Sequence, residues 1–174
     1  MGVKTTLHVL SGKLASGKTT LARRIAQECG AVLICEDIWL GRLFPGEIAT
    51  FEDYLHRSRK FRSALEPHLR ALLQCGTSVV LDFAGNVPAE RAWVRGVAEG
   101  LADVVCHYIQ ASDELCKRQL RQRNAELPAG SQHTTDDEFD AIRKYFVVPE
   151  AAEGLVLRVY EAGSLPFRTY DASG

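Results

Sequence analysis

The eight residues GKLASGKT, Gly12 to Thr19, narrow the possible folds more than any other part of the chain. They match the pattern G-x-x-x-x-G-K-[ST]. An apolar run, TTLHVLSG (5–12), precedes them, and a helical pattern, KTTLARRIAQECG (18–30), follows. That strand–loop–helix order is what a phosphate cradle requires. Glycine at 12 and 17 lets the backbone turn tightly and approach an anion. Successive N–H groups from about Leu14 to Lys18 form a nest, and the start of the helix adds its positive end. The nucleotide-binding set is therefore Gly12, Leu14, Ala15, Ser16, Gly17, Lys18, Thr19 and Thr20. In it Lys18 reaches the β- and γ-phosphates, and the Thr19 hydroxyl takes a Mg²⁺ coordination position. Lys13 occupies a free position of the pattern and is expected to be solvated.

The rest of the chain alternates in the same way. Apolar runs at 31–37 (AVLICED), 77–83 (TSVVLDF), 102–111 (ADVVCHYIQA) and 154–160 (GLVLRVY) read as strands. Helical patterns fall between them. Leu21, Ile25 and Cys29 share a stripe, with Gly30 as a stop. The segment 50–75 starts at a Thr50–Asp53 capping pattern and carries Pro67, which is expected to kink or divide it. Pro88 suits a first helical turn, after which Trp93, Val97 and Leu101 share a face. Ser112 caps a helix over 113–124, and Thr135 with Glu138 forms a capping box for a helix near 136–146. This alternation predicts one α/β domain over 1–174 with a parallel sheet and helices on both faces. In such sheets ligands sit at the carboxyl ends of the strands. Strand-end polar residues therefore carry most weight: Ser11 to Thr19, Glu36 with Asp37, and Asp82 to Asn86.

Charge and cysteine usage exclude several classes. The 21 Lys and Arg against 22 Asp and Glu leave a net charge of −1, so no global field recruits nucleic acid or an anionic membrane. The five cysteines lack a C-x-x-C pair and metal-ligand spacing, and read as packed thiols in a reducing compartment. No signal peptide opens the sequence and no apolar run approaches the roughly 20 residues of a spanning helix. A cytoplasmic protein is expected.

Beyond the loop, individual residues point to phosphoryl transfer. Asp82 ends the apolar run VVLD and suits Mg²⁺ held through water. Asn86 either contacts substrate or caps a helix. Asp37, at the next strand end, could orient an acceptor hydroxyl and take its proton. Its neighbour Glu36 competes for that place, because strand alternation lets only one of the two face the cleft. A structural alternative for Asp37 is the N-cap of a helix starting at Ile38. Trp39 either lines an acceptor pocket or packs. HRSRKFR (56–62) reads as a solvated basic face with Phe61 and Leu65 inward, or as a site for an anionic acceptor. CKRQLRQRN (116–124) crowds Arg118, Arg121 and Arg123 at a helix end before the polar stretch ELPAGSQHTT. Together these form a cationic lid near 117–135 that covers developing charge and excludes water.

GKLASGKT, Asp37 with Trp39, LDFAGN, Arg123–Asn124 and EFDAIRKYFVVPEAAEG together resemble a family of small bacterial P-loop kinases. These are related to zeta toxins, chloramphenicol phosphotransferase and the kinase domain of polynucleotide kinase. The likeness runs over about residues 5–160. It implies a P-loop NTPase three-layer sandwich with a five-stranded parallel sheet of order 2-3-1-4-5. It also implies a helical acceptor-side insertion near 44–75, ATP and Mg²⁺ at Lys18 and Thr19, and Asp37 as general base. Related lids carry R-L-x-x-R; here the first arginine is Gln119, while Arg123 is retained and Arg118 or Arg121 stands nearby. The leading expectation is an ATP-dependent phosphotransferase acting on a hydroxyl of a small molecule, with Asp37, Lys18 and Arg123 catalytic and Thr19 and Asp82 at the metal. The alternatives are a nucleotide-dependent switch or slow ATPase, and a nucleic-acid 5′-end kinase. The charge balance and the lack of a basic, aromatic-interleaved stripe argue against the last.

Overall fold

Six strands and six helices alternate along the chain in a computed structural model that describes residues 4–127, 133–163 and 168–171. The strands are β1 (Thr6–Ser11), β2 (Val32–Cys35), β3 (Val79–Asp82), β4 (Asp103–Gln110), β5 (Val156–Glu161) and β6 (Arg168–Asp171). The helices are α1 (Lys18–Cys29), α2 (Glu36–Leu43), α3 (Phe51–Gln74), α4 (Pro88–Ala98), α5 (Asp113–Glu126) and α6 (Asp136–Arg143). The sheet order is β2-β3-β1-β4-β5-β6. The first five strands are parallel in the expected order 2-3-1-4-5. The sixth, which the sequence reading did not anticipate, pairs antiparallel with β5 at the sheet edge.

Helices cover both faces of the sheet, so its inner strands are apolar throughout. Leu7, Val9 and Leu81 pack against Leu65, Leu69 and Leu73 of α3 and Val94 and Val97 of α4 on one face. Leu10, Val80 and Ile109 pack against Leu21, Ala22 and Ile25 of α1 on the other. A third, smaller cluster joins Cys116 and Leu120 of α5 to Phe139 of α6, with Leu14 and Ala15 of the loop against it. One polar chain crosses the α1 face inside this packing. His8 Nδ1 lies 2.9 Å from His107 Nε2, and His107 Nδ1 lies 2.8 Å from the Tyr160 hydroxyl. Burial lowers the pKa of His8 to about 4 and that of His107 to about 3.

The capping residues stand where the sequence places them. Thr50 accepts from the Asp53 N–H (3.1 Å) while Asp53 accepts from the Thr50 N–H (2.9 Å). Thr135 and Glu138 close the same reciprocal box on α6, and Ser112 accepts from the Leu115 N–H. Pro67 does not divide α3, which runs unbroken over 24 residues. Its missing hydrogen bond is outweighed by the buried Phe61, Leu65, Leu69 and Leu73 on either side. The cysteines are less uniform than expected: Cys106 and Cys116 are buried, Cys35 is half-buried, and Cys29 and Cys75 are exposed at helix ends. No described helix is long and apolar enough to cross a membrane.

Candidate functional site

The loop between β1 and α1 closes around the amine of Lys18. Lys18 Nζ donates to the carbonyls of Gly12 (2.8 Å) and Lys13 (2.7 Å), so the side chain is folded into the ring of its own loop. Burial lowers its pKa to about 8, against the opposing pull of Asp82 and, more weakly, Asp37. Gly17 is the N-cap of α1 at φ 100°, a left-handed conformation open to glycine. Ala15 adds a second left-handed residue at φ 57°, and such alternation turns backbone N–H groups into a concave nest. No side chain caps α1 and its first turn contains no acid, which leaves its positive end turned to the loop. The Ser16 N–H departs from the expected inward set, donating instead to Lys13 O at 3.2 Å. The Ser16 hydroxyl compensates: it is buried at the loop without a protein partner, as is that of Ser11 among the described residues. A buried orphan hydroxyl in a nest of N–H groups fits a bound anion.

Two contacts hold this loop from outside, and neither was visible in the sequence. The Asn86 Oδ1 accepts from the Gly12 N–H at 3.1 Å. Asn86 is thus not the N-cap of the following helix. It is a clamp, and the N-cap of α4 is Val87. Lys13 is not solvated as expected: its amine donates to Ala111 O (3.0 Å) and pairs with Asp113 (2.6 Å). That contact ties the loop to the start of α5.

The second acid pair sits on a helix, not a strand. β2 stops at Cys35, and Glu36 and Asp37 form the first turn of α2, with Cys35 as N-cap. Asp37 is therefore no N-cap, and the two carboxylates diverge by the ~100° step of a helix rather than by strand alternation. Glu36 turns inward and is 1% exposed. It accepts from Tyr54 (2.9 Å), Ser58 (2.6 Å) and both Nε (2.8 Å) and Nη2 (3.0 Å) of Arg62. Arg62 also approaches Glu90 at 3.4 Å and lies over the rings of Phe83 and Trp93. Arg57 pairs with Glu47 and lies over Phe44. The basic run 56–62 is thus not one solvated face: two of its arginines knit α3 to its neighbours.

Asp37 turns the other way and is exposed, within reach of the charges of Lys18 and Arg123. The cleft walls around its carboxyl raise the pKa, Glu36 and Asp82 add to the rise, and the charges of Lys18 and Arg123 oppose it. Asp82, at the carboxyl end of β3 beside Cys35 of β2, is almost wholly buried. Thr19 lies exposed in the first turn of α1. The fold thus brings the fields of Lys18, Asp37, Asp82 and Arg123 together at the carboxyl ends of β1, β2 and β3, although the four are far apart in sequence. Trp39 packs, stacking on Phe61 at 5.7 Å between ring centroids, and stays 46% exposed.

Arg123 occupies the last turn of α5. Arg121 pairs with Asp136 of α6, and Arg118 lines a depression of about 400 Å³ with Ser112, Leu115 and Ala162. That depression opens just beyond the ends of β4 and β5. Asn124 binds both polar groups of Thr134, donating to its carbonyl at 2.7 Å. The two ends of the expected lid are therefore stitched together at its base, while residues 128–132 of that stretch lie outside the described residues.

Residues 7–149 match the sequence model of a family described as AAA domain. No curated protein matches the chain in sequence. Solved structures share its fold. A gluconokinase from Sinorhizobium meliloti 1021 aligns over 92% of this chain and 84% of its own, at 15% identity and a TM-score of 0.63. A sugar kinase from Janibacter sp. HTCC2649 aligns over 90% and 85%, at 19% identity and 0.64. Shikimate kinase from Acinetobacter baumannii, in complex with shikimate, aligns over 94% and 86%, at 19% identity and 0.56. At these identities the likeness establishes a shared kinase-like P-loop fold. With four fifths of its length inside the family match, the chain belongs to this AAA domain family.

Proposed function

We propose that the protein is a cytoplasmic kinase that moves the γ-phosphoryl group of ATP to a hydroxyl of a small molecule. One arrangement carries the reading: the Asp37 carboxyl stands in the first turn of α2, within reach of the charges of the loop lysine Lys18 and of Arg123. A carboxylate there can take a proton from an acceptor hydroxyl or from water, and dependence of turnover on an acceptor separates a kinase from a slow ATPase.

The residues of the loop fit a triphosphate. The loop N–H groups between Leu14 and Lys18 other than that of Ser16, the open start of α1 and the orphan Ser16 hydroxyl supply donors, and Lys18 supplies charge. Thr19 and Asp82 would hold Mg²⁺, which neutralises phosphate charge when bound. The depression beside Arg118 is a candidate seat for the base.

In this reading Asp37 accepts the proton of the acceptor hydroxyl as its oxygen bonds to the γ-phosphorus and the bond to the β-phosphate oxygen breaks, releasing ADP. A carboxylate of raised pKa is a stronger base than a free one. Lys18 leaves the Gly12 and Lys13 carbonyls to meet the phosphates. Its pKa of about 8 keeps it mostly charged at neutral pH, and the approach of an anion raises that value. Arg123 balances the charge spread over the transferring group and helps exclude water. The neighbours named above are kinases, which agrees with this assignment.

Asp37→Asn tests it. Acceptor-dependent ADP release should fall about 10²–10⁴-fold, while binding of a non-hydrolysable ATP analogue stays unchanged. Undiminished turnover in the variant would remove Asp37 from the reaction.

A further inference from the structure

Among the described residues, the largest fully buried side chain is a charged one, Arg91 of α4. Its guanidinium donates four hydrogen bonds. Nε (2.7 Å) and Nη2 (2.8 Å) reach the two carboxylate oxygens of Glu153, and Nη1 reaches the carbonyls of Gly85 (3.0 Å) and Val147 (3.1 Å). The contact with Arg91 holds the Glu153 carboxyl below its usual range, so the pair is ionic. A buried ion pair is weak ground for stability, because apolar groups of similar volume often serve as well. What the planar fork adds is geometry: it fixes two backbone carbonyls from separate segments at one point.

Both carbonyls lead to the phosphate loop through Asn86. The Gly85 oxygen belongs to the peptide group before Asn86, and the N–H of that group donates to Glu90 at 2.9 Å. The oxygen of the next peptide group, that of Asn86 itself, accepts from the Val147 N–H at 2.8 Å, and its N–H, on Val87, donates to Glu90 at 3.3 Å. The two peptide groups that flank Asn86 are therefore each held at the oxygen and at the nitrogen. Arg91 holds one of those oxygens directly and steadies the partner of the other through the Val147 carbonyl. With the backbone so fixed, the Asn86 side chain meets the Gly12 N–H at 3.1 Å. The Gly12 carbonyl in turn accepts from Lys18 Nζ at 2.8 Å. An unbroken series of printed-length hydrogen bonds thus joins a buried cation of α4 to the amine of the loop.

We infer that Arg91, paired with Glu153, is a positioning residue for the phosphate loop: buried away from any ligand, it acts through Asn86 to set where Gly12 and the Lys18 amine stand. The inference rests on the phosphotransfer reading only for the use made of the loop, and one arm of its test needs no nucleotide. Arg91→Lys keeps the charge but lacks the fork that reaches both carbonyls. Glu153→Gln keeps the arginine and loosens its hold. Each is made in the full chain, alone and with Asn86→Ala, and its fold is checked by far-ultraviolet circular dichroism. The first readout is amide hydrogen exchange by NMR without ligand. Exchange at Gly12 should quicken roughly tenfold more than at Val9, in the middle of the same strand. The second is calorimetric titration with a non-hydrolysable ATP analogue and Mg²⁺. Arg91→Lys should weaken binding roughly fivefold, the worth of about one hydrogen bond, and Glu153→Gln about twofold or more. In the Asn86→Ala background neither should weaken it further by more than about 1.5-fold. Gly12 exchange that merely follows Val9 overturns the inference, since the pair then only holds the fold together. So does unchanged affinity in the folded variants when the native protein binds, and so does a loss of affinity as large without the Asn86 side chain as with it. Should Arg91→Lys fail to fold, Glu153→Gln decides by the same readouts. A Gly12 amide that responds as stated in a native protein that binds no analogue leaves the inference standing and counts against the nucleotide reading instead.

Discussion

Lowering the pH from 7 to 5 should remove about 4 kcal/mol of stability through one buried pair, His8 and His107. Both histidines have an ordinary pKa of 6.5 and folded values of about 4 and about 3. Between those limits the unfolded chain binds protons that the native state refuses, so stability falls as pH falls. At pH 5 the unfolded histidines are 1.5 units below their pKa, and each unit is worth about 1.36 kcal/mol, hence about 2 kcal/mol per residue. Because both folded values lie below 5, this loss hardly depends on how far below they lie. Asp53, Asp113 and Glu153, whose native contacts hold their carboxyls below the usual range, release their contributions mainly below pH 5, and Asp37, whose carboxyl is raised, acts in the opposite sense. A loss of about 4 kcal/mol is a large part of the 5–15 kcal/mol typical of a domain. The assay is urea unfolding at pH 7, 6 and 5, with the double variant His8→Gln, His107→Gln as control. The double variant should start less stable and show a much flatter pH dependence. Equal stability of the native protein at pH 7 and pH 5, or an equal loss in the double variant, would refute the reasoning.

Three further outcomes follow from particular contacts. Glu36→Ala leaves Arg62 charged with 12% of its side chain exposed and strips Tyr54 and Ser58 of a shared acceptor, so it should cost about 3–5 kcal/mol. Adding Arg62→Met should recover part of that loss in a double-mutant cycle of unfolding free energies. Gly85→Ala places a methyl group 2.9 Å from the Leu10 carbonyl oxygen and 3.0 Å from Val9. Backbone must shift there, and denaturant unfolding should register about 1–3 kcal/mol of destabilisation. Asn86→Ala deprives the Gly12 N–H of its acceptor, about 1–2 kcal/mol. It should weaken ATP-analogue binding roughly tenfold by calorimetry while the far-ultraviolet circular dichroism stays native.

Local signals were legible in the sequence, and distant ones were not. The phosphate loop, the five parallel strands and the caps at Thr50, Ser112 and Thr135 each depend on residues within a few positions, so periodicity and spacing reveal them. The α2 boundary was misplaced because Glu36 and Asp37 continue an apolar run without any turn residue, so strand and helix look alike there. Pro67 was over-weighted because propensity is local, whereas the buried face that overrides it belongs to the whole helix. Asn86 on Gly12, 74 positions apart, leaves no trace in one sequence. Neither does Lys13 on Asp113, 100 positions apart. The split between Glu36 and Asp37 needed the positions of Tyr54, Ser58 and Arg62, which only the packing of α3 against α2 supplies. The sixth strand went unread because it lies at an edge in a short tail with no crossover helix to announce it.

Asn86 has one side chain and one backbone carbonyl, and each reaches a different half of the molecule. The amide oxygen holds Gly12, and the main-chain oxygen holds Val147, two residues from the Tyr145 ring. The residue therefore works like a pivot pin through two plates. Through these two hydrogen bonds a single residue fixes where the phosphate loop stands relative to the segment that follows α6.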